Sequence, residues 1–302
     1  MQAPFDIAAD LDTPVSAYLK LKALQPRFLL ESVEGGERLA RYSFLGFGDA
    51  LEVRMDKGSL QVNGESRARP RNQQEYLDAL REALLLAPRP QPADDLPFAG
   101  GLVGVSGYDV VRLFEKLPRD TVKQEGVPDA AFVAPASLLV FDHVTRRVAV
   151  LHAGSEAERQ ALRTEVIEQL RGPIPGSKHE VSVSAAEASL TEEEFAARVR
   201  ACKEYIAAGD IYQIVLSVLF HGKTNVAPFE VYRALRLLNP SPYMFYLNLD
   251  EFHIAGSSPE ILTRLEDDVV TVRPIAGTRR RGHDESEDRY GKRAAGRSQG
   301  AR

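Results

Sequence analysis

Three segments in the second half of the chain hold residue types that could do chemistry together. Asn239-Pro240-Ser241-Pro242-Tyr243-Met244-Phe245-Tyr246 opens on two rigid prolines and runs into aromatic residues. Such a segment can set a Tyr and a Met around a planar apolar ligand, since the thioether makes sulfur–aromatic contacts and the phenol adds a polar handle. A plain loop leading into a core strand would carry the same residues. Gly256-Ser257-Ser258-Pro259-Glu260 joins small residues, which allow close backbone approach, to a carboxylate that can orient a polar partner. It also suits an ordinary turn. Arg273-Pro274-Ile275-Ala276-Gly277-Thr278-Arg279, followed by Arg280-Arg281-Gly282, could offer N–H groups, a hydroxyl and guanidinium forks to a carboxylate ligand. A solvated basic loop would look alike.

Other candidates read as scaffolding. Gly100-Gly101-Leu102-Val103-Gly104-Val105-Ser106-Gly107 fits neither the dinucleotide fingerprint nor a Walker loop, and a glycine-rich strand packed closely on a neighbour is expected. The six histidines show no metal-ligand spacing. The single cysteine, Cys202, excludes an internal disulfide and a Cys-based zinc site. It lies on the apolar stripe of an expected helix, where a packed thiol is the natural reading.

Periodicity supplies the elements that must position these residues. Phe28-Leu29-Leu30 and Tyr42-Ser43-Phe44-Leu45 are apolar runs on either side of the Glu34-Gly35-Gly36-Glu37 turn. Leu51-Glu52-Val53-Arg54-Met55 and Ser59-Leu60-Gln61-Val62 flank Asp56-Lys57-Gly58, a hairpin signal. Tyr76, Leu77, Leu80 and Leu84 recur at helical spacing until Pro88, where a proline-rich loop begins. Residues 136–141 and 147–151 predict an antiparallel pair, and 156–170 a polar helix. Residues 172–186, rich in Gly, Pro and Ser, make the best boundary. Thr191 with Glu194 then forms a capping box, Phe195, Val199, Cys202 and Ile206 mark one helix face, and Gly209 ends it. Residues 211–220 predict a long strand, 229–238 a helix, and 243–247, 252–255 and 269–272 three more strands. Without a regular βαβ rhythm the fold class is α+β: two domains of largely antiparallel sheet with helices, the second incomplete. The expected division is residues 1–171, a linker at 172–188, a partial second domain at 189–288, and an aberrant basic tail at 289–302.

Taken in order, the three chemical segments resemble the chorismate-utilising enzymes. Gly209-Asp210-Ile211-Tyr212-Gln213-Ile214-Val215-Leu216-Ser217 looks like a motif of that family's catalytic domain, with Val218 where the family usually has a polar residue. Leu29-Leu30-Glu31-Ser32 and Arg41-Tyr42-Ser43-Phe44-Leu45-Gly46 resemble the N-terminal domain of anthranilate synthase large subunits. The likeness runs from about residue 10 to about residue 288.

That resemblance implies a regulatory domain at 1–171 and a chorismate-binding catalytic domain at 189–288. It implies a carbon–oxygen lyase that turns chorismate and ammonia into anthranilate and pyruvate in tryptophan biosynthesis. Ammonia would come from glutamine through a separate glutamine amidotransferase subunit. Gly277 and Thr278 would contact chorismate. The related aminodeoxychorismate enzymes carry a nucleophilic lysine where this chain has Ala276, so direct addition of ammonia is implied. Tryptophan, the feedback inhibitor, would sit between Glu31 and Ser32 of the first domain and Pro242, Tyr243 and Met244 of the second. The family's magnesium-binding glutamates and catalytic histidine correspond to positions past Arg302, so no catalytic or metal-ligating residue is expected within the chain. Two alternatives stay open: a tryptophan- and glutaminase-binding fragment without catalysis, and an enzyme like aminodeoxychorismate synthase.

Composition bounds the rest. With 302 residues, 44% hydrophobic and 27% charged, the chain reads as a soluble globular protein. No apolar run approaches the ~20 residues that span a bilayer, and no secretory signal opens the chain. A cytoplasmic setting without a membrane is expected. The net charge of −5 argues against a nucleic-acid partner. From Arg289 onward there are five basic residues and no acid, leaving −10 on the rest. One choice of codons for 293–302, shifted by a nucleotide, reads as the family's continuation. The tail is therefore expected to reflect a frameshift that shortens the chain.

Overall fold

The computed structural model describes residues 5–32, 41–91, 96–117, 126–176, 181–266, 268–272 and 286. The chain divides into two compact units, Met1–Pro259 and Glu260–Arg302.

Local signals account for the helices. Helix α1 (Pro14–Lys20) starts from Thr13, whose side chain accepts from the Ser16 amide while Ser16 Oγ accepts in return from the Thr13 amide. Helix α2 (Gln73–Leu86) is capped by Asn72 and stops at Ala87, which is extended as the residue before a proline tends to be. Reciprocal capping boxes start α3 (Glu156–Arg171) at Ser155 and α4 (Glu192–Ala208) at Thr191. Gly209, in the left-handed region at φ 83°, ends α4 as expected. Helix α5 (Pro228–Leu238) begins with a proline in its first turn. Among the described residues no helix is long and apolar enough to cross a membrane.

The strands are β1 (Ile7–Ala8), β2 (Pro26–Glu31), β3 (Tyr42–Met55), β4 (Ser59–Val62), β5 (Glu65–Ala68), β6 (Val103–Ser106), β7 (Ala130–Asp142) and β8 (Arg147–His152). They continue with β9 (Glu187–Ala188), β10 (Phe220–His221), β11 (Tyr243–Asn248), β12 (His253–Ser258), β13 (Thr263–Glu266) and β14 (Val269–Val272). Ten of them form one antiparallel sheet ordered β1-β8-β7-β3-β2-β11-β12, with β4 and β5 added beside β3 and β6 beside β7. Segments from either side of residues 172–188 thus share a sheet. The expected hairpin at 56–58 forms, with Val53 opposite Val62 and Met55 opposite Leu60. In the second unit β13 and β14 pair as a hairpin. This mixed arrangement of helices and antiparallel strands is the α+β class.

The long β3–β7 pair runs from Tyr42 opposite Asp142 to Met55 opposite Ala130. Its register breaks between Phe47 and Ala50, where Gly48 adopts φ 78°. Before this break β3 pairs with β2, and after it with β4. The extra residue bends the strand and so lets one strand serve two sets of neighbours. Strand alternation buries both faces. Leu139, Phe141, Val148 and Val150 join α1, α3 and α5 on one side, while Leu138, Val140, Ala149 and Leu151 pack on the other. Beyond the break Val53, Met55, Leu60 and Val62 pack on Tyr76 and Ala83 of α2. The glycine-rich segment at 100–107 enters β6 as expected, and a Cβ on Gly104 would lie 2.0 Å from the Ala131 carbonyl oxygen.

Two expectations need correction. Residues 211–219 form no strand, and Tyr212 and Val215 are exposed. A strand exists by pairing its backbone, and among the described residues this segment bonds only at Leu219, to Ser189. Helix α4 has no buried residue, so Cys202 on its stripe is half-buried, not a packed core thiol.

Asp142 closes the β7–β8 turn. Burial works against its ionised form, but the Arg41 guanidinium at 3.1 Å and the Val144 and Thr145 amides at 3.0 and 3.3 Å outweigh this and hold its pKa below the ordinary range. A depressed carboxyl pKa adds stability above the unfolded value near 4, and that stability is lost as pH falls through the folded value. Asp142→Asn should therefore cost about 1–3 kcal/mol at pH 7. The difference from wild type should shrink as pH falls below the unfolded value of about 4, as read from urea midpoints across pH.

Candidate functional site

The expected tryptophan-site residues lie where β2 ends. Strand β2 is flanked by β3 and β11, and its last residue, Glu31, stands opposite Met244 of β11. Two segments more than two hundred positions apart in the chain are made neighbours by this register. Paired residues in an antiparallel ladder project to the same face. Glu31 and Met244 accordingly share the face covered by α5, with Leu29 and Tyr246 beside them.

Helix α5 presents Phe229, Tyr232 and Arg236 to that face, at i, i+3 and i+7. Phe229 stacks on Tyr18 at 3.8 Å between ring centroids and meets Tyr246 edge-on at 5.1 Å. Tyr232 completes the wall 5.8 Å from Tyr246. Burial raises the phenol pKa of Tyr246 to about 12 and pushes those of Tyr18 and Tyr232 higher still, so all three stay neutral donors at neutral pH.

Against this wall the carboxylate of Glu31 is almost wholly out of water, its side chain 2% exposed. Tyr232 Oη donates to Oε2 at 2.5 Å. Arg236 donates from Nε to Oε2 at 3.1 Å and from Nη2 to Oε1 at 3.2 Å. This two-point fork matches guanidinium to carboxylate geometry. Both oxygens of Glu31 are thereby engaged inside the protein.

Ser32 comes directly after Glu31, and continuing the register would set it beside Tyr243. Its hydroxyl oxygen is buried and finds no hydrogen-bond partner among the described residues. A buried hydroxyl without a partner costs free energy that a ligand atom can recover. Met244 is buried, whereas Pro242 and Tyr243 are half-buried.

The first two sequence segments singled out for chemistry come together. Tyr243, Met244 and Phe245 pair with Ser258, Ser257 and Gly256. Ser257 Oγ donates to the Asn239 carbonyl at 2.6 Å, and Ser241 Oγ to the Ser258 carbonyl at 2.8 Å. The Phe245 ring lies over Gly256 so closely that a Cβ there would sit 2.0 Å from Cζ. The small residues of that motif thus serve the close approach of an aromatic ring. The third segment, with Ala276, Gly277 and Thr278, lies outside the described residues.

Sequence reasoning assigned no role to Tyr232 or Arg236. Their signal was available: a phenol and a cation on the same helical face as Phe229, one full turn apart.

A family model described as chorismate binding enzyme matches residues 25–295. Anthranilate synthase component 1 of Thermus thermophilus is 44% identical over 285 residues, covering 93% of this chain and 60% of that protein. The component 1 of Acetivibrio thermocellus is 36% identical over 306 residues, covering 94% and 60%. The chain thus spans about 60% of the length of these curated relatives. Among solved structures, anthranilate synthase component I from Streptococcus pneumoniae matches with a TM-score of 0.66 and 29% identity, over 97% of this chain and 64% of that one.

Tyr232→Phe removes one donor from a buried charged acceptor and leaves the ring in place. It should lower stability by about 1.5–3 kcal/mol, read from urea unfolding at pH 7. A change within 0.5 kcal/mol would mean that the phenol adds little beyond the Arg236 fork.

Proposed function

The chain belongs to the chorismate-binding enzyme family, whose model covers residues 25–295, and from that premise we propose that it is a large subunit of the anthranilate synthase type. The reaction proposed is amination of chorismate by ammonia, releasing anthranilate, pyruvate and water. Ammonia would be delivered by a glutamine amidotransferase subunit, and tryptophan would act as the feedback inhibitor. Support comes from relatives named anthranilate synthase component 1, at up to 44% identity along 93% of the chain. Ala276 supports this branch over the lysine-bearing aminodeoxychorismate branch, and Gly277 and Thr278 are proposed chorismate contacts.

The observation that supports the regulatory part is the register of Glu31 with Met244, which, continued by one residue, would set the buried hydroxyl of Ser32, without a partner among the described residues, beside Tyr243. Tryptophan offers what this place lacks. Its amino-acid end can bond the Ser32 hydroxyl and its indole can pack on Tyr243 and Pro242, with Met244, buried beneath α5, fixing the strand that carries them. A ligand bound between two segments can bias their arrangement if it binds one arrangement better than another.

Magnesium is the cofactor proposed for the family's reaction. Among the described residues no group of three or more His, Cys, Asp or Glu side chains is gathered to hold a metal ion. These residues do not supply its site. The domain reading carried forward is a regulatory domain at 1–171, a linker at 172–188 and a chorismate-binding portion from 189. A cytoplasmic setting goes with this reading.

Two measurements on the 302-residue chain test it. Tryptophan should bind by calorimetry, and Ser32→Ala should weaken binding about tenfold, the worth of one hydrogen bond. Unchanged affinity in that variant would sink the site. Anthranilate formation from chorismate, ammonium and magnesium is then followed by fluorescence. Anthranilate formation above the no-protein control supports the proposed reaction, and its absence from a folded, tryptophan-binding chain counts against it.

A further inference from the structure

We propose that Arg236 is a positioning residue of the tryptophan site, acting through Glu31; this rests on the reading just given. Resemblance alone would have the Glu31 carboxylate meet the ligand directly. In the structure both of its oxygens are already taken, by the Arg236 fork at 3.1 and 3.2 Å and by the Tyr232 hydroxyl at 2.5 Å. With its side chain 2% exposed, Glu31 faces helix α5 and not an open site. Its work is to tie the end of β2 to the last turn of α5.

That tie matters because each of these elements leads straight into a segment of the proposed site. Ser32 is the next residue after Glu31, and Asn239, which opens the 239–244 segment, lies three positions after Arg236 at the end of α5. One ion pair therefore sets the start of one ligand-contacting segment against the start of the other. The far side of the 239–244 segment is held separately, by Ser257 on the Asn239 carbonyl and Ser241 on the Ser258 carbonyl. Arg236 makes the anchor on the side facing β2. Arg233, on the same helix, pairs with Glu230 one turn back at 2.6 Å and takes no part in this arrangement. It is the natural control.

The test is tryptophan affinity by calorimetry on the 302-residue chain, with urea midpoints confirming that each variant is folded under the binding conditions. A merely structural role would lower the midpoint but leave the Kd of folded molecules unchanged. Arg236→Gln should weaken binding about tenfold, within the range of ordinary site coupling. Arg236→Lys should recover part of the loss, since it keeps the charge without the fork. Arg233→Gln should bind like wild type. If Arg236→Gln does not fold, Tyr232→Phe decides, because it loosens the same carboxylate: weakening of about threefold or more supports the proposal, and wild-type affinity overturns it. Wild-type affinity in folded Arg236→Gln, with Ser32→Ala still weakened, overturns this inference alone. Absence of tryptophan binding by the wild-type chain overturns the reading beneath it as well.

Discussion

A carboxylate taken out of water must be answered by donors, or its burial costs free energy that nothing returns. Glu31 meets that demand with three hydrogen bonds, two from a guanidinium fork and one from a phenol, all supplied by one face of α5. The requirement is geometric as much as energetic. It sets where α5 lies on the sheet, and so where the chain leaving α5 begins its path into β11. The aromatic wall of Tyr18, Phe229, Tyr232 and Tyr246 packs on the same face of the sheet, leaving the Glu31 side chain 2% exposed.

The sheet turns this local arrangement into a site. Strand β2 is paired on both edges, by β3 and β11, so its end can neither slip nor swing without breaking two ladders. A slip of one residue would turn Glu31 away from α5 and send Leu30 under the helix. Close contacts reinforce the register. The Phe245 ring occupies the space above Gly256, and Phe28 that above Gly46, so no larger residue fits at either glycine without displacement. The β3–β7 pair, bent at Gly48, carries this part of the sheet and the α2-covered part on one continuous support.

The apolar groups of α4 and of residues 211–220 contrast with this dense region. Tyr205, Ile206, Tyr212, Val215, Leu219 and Phe220 are exposed, although their spacing suits burial. Periodicity reports that a face is apolar, not what will cover it. A strand or stripe acquires its structure from a partner, and among the described residues these segments have little of one.

Much of the local structure was legible from the residues alone. The helix start at Thr191 and the hairpin at 56–58 depend on atoms within nine positions of each other, so their signals lie in the sequence itself. The same holds for the stop at Gly209, whereas the close packing at Gly104 rests on Ala131 and Phe132, 27 and 28 positions away. Glu31, Ser32, Pro242, Tyr243 and Met244 could be picked out only by resemblance, because nothing local couples residue 31 to residue 244. Only the tertiary structure set those two opposite each other and brought Tyr232 and Arg236 onto the carboxylate. It also left the Ser32 hydroxyl buried without a partner among the described residues. The reason is physical: hydrogen-bond satisfaction of a buried group is a property of everything packed around it, and a one-dimensional pattern does not contain that surrounding.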